Sequence, residues 1–406
     1  MRLLPRAHRL MLLMVAALLV ACAPAAQPAP TTAPKPAATT APAAVASPAS
    51  APAASPAAAG PPASPAAAAS PAVSPMASPA ASPAASPAVV APSAPAAAAK
   101  PTGPADKVTV QLNWIRNIQF AGIFMAQEKG FYKDENLDVE TIVGGGQIST
   151  PQVVLGGAAM IGVGGPEALI TARVRAGDIR VFSVTNQKGP SALSCMPNAN
   201  VKTAQDLRGK KLGASAPQRP GLETILKIQG IPLDEVEIIT SGVDLAGLLA
   251  GRIDCRVTFA TDEPITLRLQ GIDPTVLLYY DLGQPQQGNP YFVTGETLAK
   301  NPELLVRWTR ATQKGWAYAI ANQAETVDLV ATKYGENLDK TQQAGALKAF
   351  AELMEDDFSK ANGLMAINRA TWDATAASML EQGRLDTAID LDTLLAPEIF
   401  ERANKK

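Results

Sequence analysis

Histidine is almost absent: the chain of 406 residues holds one, His8, in a segment read below as cleaved. Without an imidazole, neither a Ser/His/Asp nor a Cys/His nucleophile system can be assembled. The commonest zinc ligand is missing as well, so no metal site and no cofactor are expected. Catalysis by lysine or carboxylates alone stays chemically open, but a hydrolytic or transferase role is disfavoured. An excess of charge is also lacking, with 35 Lys+Arg against 36 Asp+Glu. A phosphate-backbone partner needs concentrated positive charge, and no basic stripe occurs, so no nucleic acid is expected.

What is present begins with a charged, then apolar, N-terminus. Arg2, Arg6 and Arg9 precede an apolar run from Leu10 to Val20. That run is shorter than the about 20 residues a membrane span requires and has the length of a signal-peptide core. Leu19-Val20-Ala21-Cys22 looks like a bacterial lipobox, in which the Cys22 thiol takes the lipid before cleavage behind Ala21. The alternative is an ordinary secretory signal with Ala21-Cys22-Ala23 as a small-residue cleavage site. The expectation is a signal peptide over 1–21 and lipid attachment at Cys22.

From 22 to 105 the chain is nearly all Ala, Pro and Ser, with repeats such as Ser78-Pro79-Ala80 and Ser82-Pro83-Ala84. Such a segment cannot bury enough apolar surface to offset its ordering entropy. It reads as a disordered tether, proline-stiffened towards about 3.1 Å per residue. Either it holds the folded part off a membrane or it is a spacer of no particular length.

Composition changes at Asp106. Strand-like alternation at Val108–Leu112 and 137–142, with helical stretches at Phe124–Gly130, 148–155 and 167–176, predicts α/β layers around a largely parallel sheet. Further strands are expected at 160–163 and 179–184. A second unit starts near Val201, with strands at Lys211–Gly213, Val236–Ile239 and Ile253–Phe259, and the chain from Leu298 onward is mostly helical.

Three segments carry a resemblance: Leu112-Asn-Trp-Ile-Arg-Asn117, Ala121-Gly122-Ile-Phe-Met-Ala126-Gln-Glu-Lys-Gly-Phe-Tyr-Lys133 and Leu137-Asp-Val-Glu140. With Asp206-Leu-Arg-Gly-Lys-Lys-Leu-Gly213 and Leu248-Leu-Ala-Gly251-Arg-Ile-Asp254, their order and spacing resemble the periplasmic binding proteins related to thiamine-pyrimidine synthases. That group includes binders of thiamine pyrimidine precursors, of riboflavin and, more distantly, of sulfonates. The resemblance implies an α/β, type II periplasmic-binding-protein fold, with two α/β lobes around a ligand cleft. It places lobe one at 106–191 and 285–406, and lobe two at 192–284. It also implies a monomer on the extracytoplasmic face that passes a small molecule to separate ABC permease and ATPase subunits. The missing G-x-x-x-x-G-K-[ST] loop agrees that energy is supplied elsewhere.

Open α/β sheets bind ligands beyond the C-terminal ends of their strands, which makes Asn113 and Trp114 the first candidates. An indole offers a flat stacking face; Asn113, Asn117 and Gln119 carry amide donors and acceptors for the edge of a heteroaromatic ring. A structural tryptophan with loop-capping asparagines is the plainer alternative. Where the family's pyrimidine binders usually carry a histidine, this chain reads Ile118-Gln119-Phe120, which makes Phe120 a candidate contact for a different or larger ring. The resemblance therefore leans towards the riboflavin-binding members. Gly164 and Gly165 open a helix whose N–H groups can meet ligand oxygens; Glu167 either joins them or complements the helix dipole. Gly144 to Gly146 are a turn or a point of close approach. From lobe two, Gln218 and Asp262 are candidate contacts, while Arg219 is expected to be solvated. Tyr291 is a candidate second aromatic wall, and Tyr279 with Tyr280 are expected in core and hinge packing. Sequence alone leaves open whether Cys195 and Cys255 pair.

Riboflavin is thus the first ligand expectation, a formylaminopyrimidine-type thiamine precursor the second, and an alkanesulfonate the third. The family's enzymes lean on histidine and a cysteine cluster, neither of which the exported chain has. A purely structural surface lipoprotein is the remaining alternative.

Overall fold

In a computed structural model of the chain, residues 103–405 are described, apart from 176 and 243. The expected signal peptide and Cys22 lie outside the described residues, as does the tether up to 102.

The described residues form two five-stranded sheets. The first contains β1 (Asp106–Gln111), β2 (Leu137–Ile142), β3 (Ile161–Val163), β4 (Ile179–Asn186) and β10 (Gly288–Thr294), in the order β2-β1-β3-β10-β4. The second contains β5 (Ser191–Cys195), β6 (Lys211–Ala214), β7 (Glu237–Thr240), β8 (Cys255–Phe259) and β9 (Thr275–Leu278), in the order β7-β6-β8-β5-β9. The alternation that marks β2 in the sequence is its burial pattern, with Leu137, Val139 and Thr141 inward and Asp138 and Glu140 outward.

Four of the five strands in each sheet run the same way, as the sequence predicts, and one in each is reversed. β10 runs antiparallel to β3 and β4, and β5 runs antiparallel to β8 and β9. The reason is the connectivity. The chain leaves the first sheet after β4 and enters the second as β5, then returns from β9 as β10. Each crossing delivers a strand that points against its new neighbours.

Around the first sheet packs the larger core. Trp308 stands edge-on to Tyr291, with ring centroids 4.9 Å apart, and to Phe182 at 5.7 Å. Trp316 joins the same cluster, while Trp372 seals the other with Phe292 and Leu394. A separate cluster centred on Leu193, Leu212, Leu222 and Val257 holds the second sheet. Inside it Cys195 of β5 faces Cys255 of β8 and the two are joined by a disulfide.

Beyond the crossovers, the halves touch through the Glu263–Leu269 and Lys340–Met354 helices. Ile265, from the second half, is 8% exposed and counts with the first half's core. It reaches Gly345, where an added Cβ would lie 2.6 Å from its side chain. Among the described residues no helix is long and apolar enough to cross a membrane.

Candidate functional site

The strand-end loops of the first sheet form a platform. β1 runs into Leu112–Asn117, and Arg116 ties that loop to β2: its Nη2 donates to the Thr141 carbonyl at 2.6 Å. The loop after β2 is pinned from its own side, the Gly144 N–H donating to the Trp114 carbonyl at 3.1 Å. Gly144 has no room for a side chain, since a Cβ there would sit 2.1 Å from the Leu112 carbonyl oxygen and 2.6 Å from the Trp114 nitrogen. The backbone cannot yield cheaply at such a contact. Gly144→Ala should therefore displace the Trp114 loop, weakening ligand binding about tenfold or more, while the far core keeps its near-ultraviolet dichroism. Unchanged binding by this variant would mean the loop does not shape the site.

Trp114 is 44% exposed, whereas Trp308, Trp316 and Trp372 are 0–1% exposed. Its ring lies over Gly146, whose added Cβ would touch the indole at 3.4 Å. Ile115, Val143 and Ile148 are also large apolar side chains left 40–47% exposed on these two loops. Phe259, at the end of β8 in the second sheet, is 45% exposed. These four were missed in the sequence because an apolar residue at a strand end reads as core; exposure is a tertiary property.

Beside the indole, amides are linked. Gln119 Nε2 donates to Asn113 Oδ1 at 3.0 Å and to Asn289 Oδ1 at 3.1 Å. Asn289 is another residue the sequence reading passed over; it adopts a left-handed φ of 50° at the start of β10. Asn117 caps the short Ile118–Phe120 turn, its Oδ1 accepting from the Gln119 N–H at 3.0 Å. Its side-chain oxygen is thereby committed to the loop.

Two predicted aromatic contacts are placed elsewhere. Phe120 and Tyr291 are each 1% exposed in the first core. Phe120 meets Phe124 edge-on, and Tyr291 lies against Trp308 while its hydroxyl accepts from Thr185 at 3.0 Å. Phe120 starts the packed face of a helix, and Tyr291 is an inward residue of a central strand. Neither presents a ring to solvent in this conformation.

Gly164 is buried and Gly165 exposed at the start of the Pro166–Val174 helix. Glu167, on its first turn, reaches the returning crossover: Gln286 Nε2 donates to it at 2.6 Å, and Arg384 pairs with its other oxygen at 2.6 Å. From the second half, Gln218 stands just before the Arg219–Ile228 helix, and its Oε1 accepts from Ser215 Oγ at 2.8 Å. Glu167, Gln218 and Phe259 line one cavity of about 230 Å³ between the halves. Arg219 is exposed and pairs with Glu223 one turn on.

Asp262 sits at the lobe contact, accepting from Gln342 Nε2 at 2.8 Å. Gln342 in turn accepts from Gln343, whose Oε1 accepts from the Ile118 N–H at 2.9 Å. Partial desolvation at the lobe contact, followed by the neighbouring Glu263 charge, pushes the Asp262 carboxyl from 3.8 up to about 6, an effect that solvent screens in part because the residue remains exposed. A carboxyl whose folded pKa is raised binds its proton more tightly in the folded state. Its contribution is therefore present below 3.8 and lost as pH climbs through about 6. Asp262→Asn keeps an acceptor for Gln342 without the charge. It should melt above the parent at pH 8 and with it below pH 4; a constant offset across that range would discount the titration.

The two-lobed α/β architecture, with its exposed aromatic and amide platform at the strand ends, defines the class: the SsuA-type periplasmic-binding-protein fold. The periplasmic aliphatic sulphonate binding protein SsuA from Escherichia coli superposes with a TM-score of 0.56 at 16% identity, over 71% of this chain and 91% of that one. The chain belongs to the NMT1/THI5 like family, which matches residues 117–326. Among relatives, the riboflavin-binding protein RibY of Chloroflexus aurantiacus is 27% identical over 320 residues, covering 75% of this chain and 89% of that protein. A formylaminopyrimidine-binding protein of Halalkalibacterium halodurans is 24% identical over 238 residues, 57% of this chain and 72% of its own.

Proposed function

We propose that this protein is an extracytoplasmic solute-binding lipoprotein of an ABC importer and that its ligand is riboflavin. One observation carries the reading: of four tryptophans, Trp114 alone is left open, on a strand-end loop and beside linked amides. The indole is exposed together with Ile115, Val143 and Ile148, a contiguous apolar surface of the kind that marks a ligand site, and its face suits stacking on a flat ring. Asn113, Gln119 and Asn289 stand where they can meet the polar edge of such a ring. Similarity to RibY over three quarters of the chain supports the same ligand class. The reading includes no catalytic step, consistent with a mature chain that lacks histidine.

A thiamine pyrimidine precursor is the second reading, supported by the formylaminopyrimidine-binding relative. An alkanesulfonate is the third. An anion of that kind would call for clustered basic groups, and the platform offers an indole and neutral amides instead. Titration of the protein with riboflavin, an aminopyrimidine and an alkanesulfonate separates the three. Riboflavin fluorescence should quench as the ring meets the indole; unchanged emission at saturating protein rejects the assignment.

A further inference from the structure

One side chain of the second half is buried in the first. Ile265 lies on the Glu263–Leu269 helix, and among the described residues it is the second half's one member of the first half's core cluster. Leu267, two positions on, packs into its own half with Leu248 and Ile253. Residues two apart on a helix do not share a face, so this helix turns one apolar side to each half.

The receiving surface is a notch at Gly345. A Cβ there would lie 2.6 Å from Ile265 Cγ2 and 3.7 Å from Ile265 Cβ. The closer atom belongs to a β-branched side chain, which has little freedom to swing aside. Beside the notch, Gln342 Nε2 donates to Asp262.

The helix that carries Gly345 is anchored at its other end to the first crossover. There the Gln187 and Lys188 N–H groups donate to the Leu353 carbonyl at 2.9 and 3.1 Å. By the helical rise, the notch stands about 12 Å from that anchor and Gln342 about 16 Å. A rigid-body rotation of about 15° at the crossover would part the contact by about 3–4 Å. That empties the notch and puts the isoleucine into water, which disfavours the parted arrangement.

We infer that Ile265 and Gly345 form a latch that sets ligand affinity by holding the two halves together, apart from the surface that meets the ligand. The inference rests on the reading that the halves clasp a solute, and not on which solute it is. Riboflavin serves as the probe. Gly345→Ala puts a methyl group into the notch, and alanine favours a helix more than glycine does. The variant should bind riboflavin about five- to twentyfold more weakly, through faster dissociation, at an unchanged or raised melting temperature. The 3.7 Å Cβ separation also suits an engineered bridge. With Ile265→Cys and Gly345→Cys joined, bound riboflavin should leave about tenfold or more slowly.

Wild-type affinity in Gly345→Ala, or release that the bridge does not slow, overturns the latch. If riboflavin does not bind, the ligand reading fails and a distance decides the latch instead. Spin labels at Lys348→Cys and Arg252→Cys, both exposed, report the spacing of the halves. A separation that lengthens by about 3 Å or more on adding Gly345→Ala upholds the latch, and an unchanged separation overturns it.

Discussion

Trp114→Ala weakens riboflavin binding by about 30- to 150-fold and abolishes the quenching of flavin emission. The expected loss is about 2–3 kcal/mol, the size of an aromatic anchor at the centre of a binding surface. Stability should hardly move, because the indole is 44% exposed and no core is opened by its removal. This separates Trp114 from the other three tryptophans, whose truncation would cost about 3–5 kcal/mol of folding free energy. Trp114→Phe should recover part of the affinity, since a smaller flat face remains. The readout is a fluorescence titration of both variants alongside thermal melts. Affinity that stays intact in Trp114→Ala would remove the platform and the proposed ligand with it.

Replacing Cys195 and Cys255 together with serine lowers the unfolding free energy by about 2–5 kcal/mol. The bridge spans a separation of 60 residues, so its loss releases a long loop in the unfolded chain. Both residues are 0% exposed, and two serine hydroxyls placed in that cluster would add a desolvation cost. The bridge joins β5, the strand that has just crossed over, to β8, which ends at Phe259 and leads to Asp262. Denaturant melts of the double variant, and of the parent with and without reductant, measure the effect. A midpoint that does not move would show that packing alone fixes these strands.

Much of the fold was legible where local pattern and tertiary burial coincide. β2 spans the predicted residues because Leu137, Val139 and Thr141 alternate with exposed carboxylates. The helix predicted from Phe124 starts earlier, at Ala121, since Ala121 and Gly122 carry no strong apolar signal yet are fully buried. β5, β9 and β10 were not read at all. Ser191–Cys195 is a short run with serine at 191 and 194, and only its position between β8 and β9 makes it a strand. The platform residues Asn113 and Trp114 were accessible to sequence reasoning because a strand end is a general ligand position. Tyr291 was misplaced for the same physical reason that hid β10. Without that strand, its ring had no core to enter. Asn289 lies 176 residues from Asn113, and no spacing rule brings it to the platform.

Gln342 and Gln343 are successive residues on one helix, yet one answers to Asp262 across the lobe contact and the other to the backbone beside Phe120. The two amides are themselves hydrogen-bonded, Gln343 Nε2 donating to Gln342 Oε1, so a shift of one pulls on the other. Damage at either amide should therefore register at both ends, and variants here cannot be sorted cleanly into those that loosen the ring platform and those that part the halves.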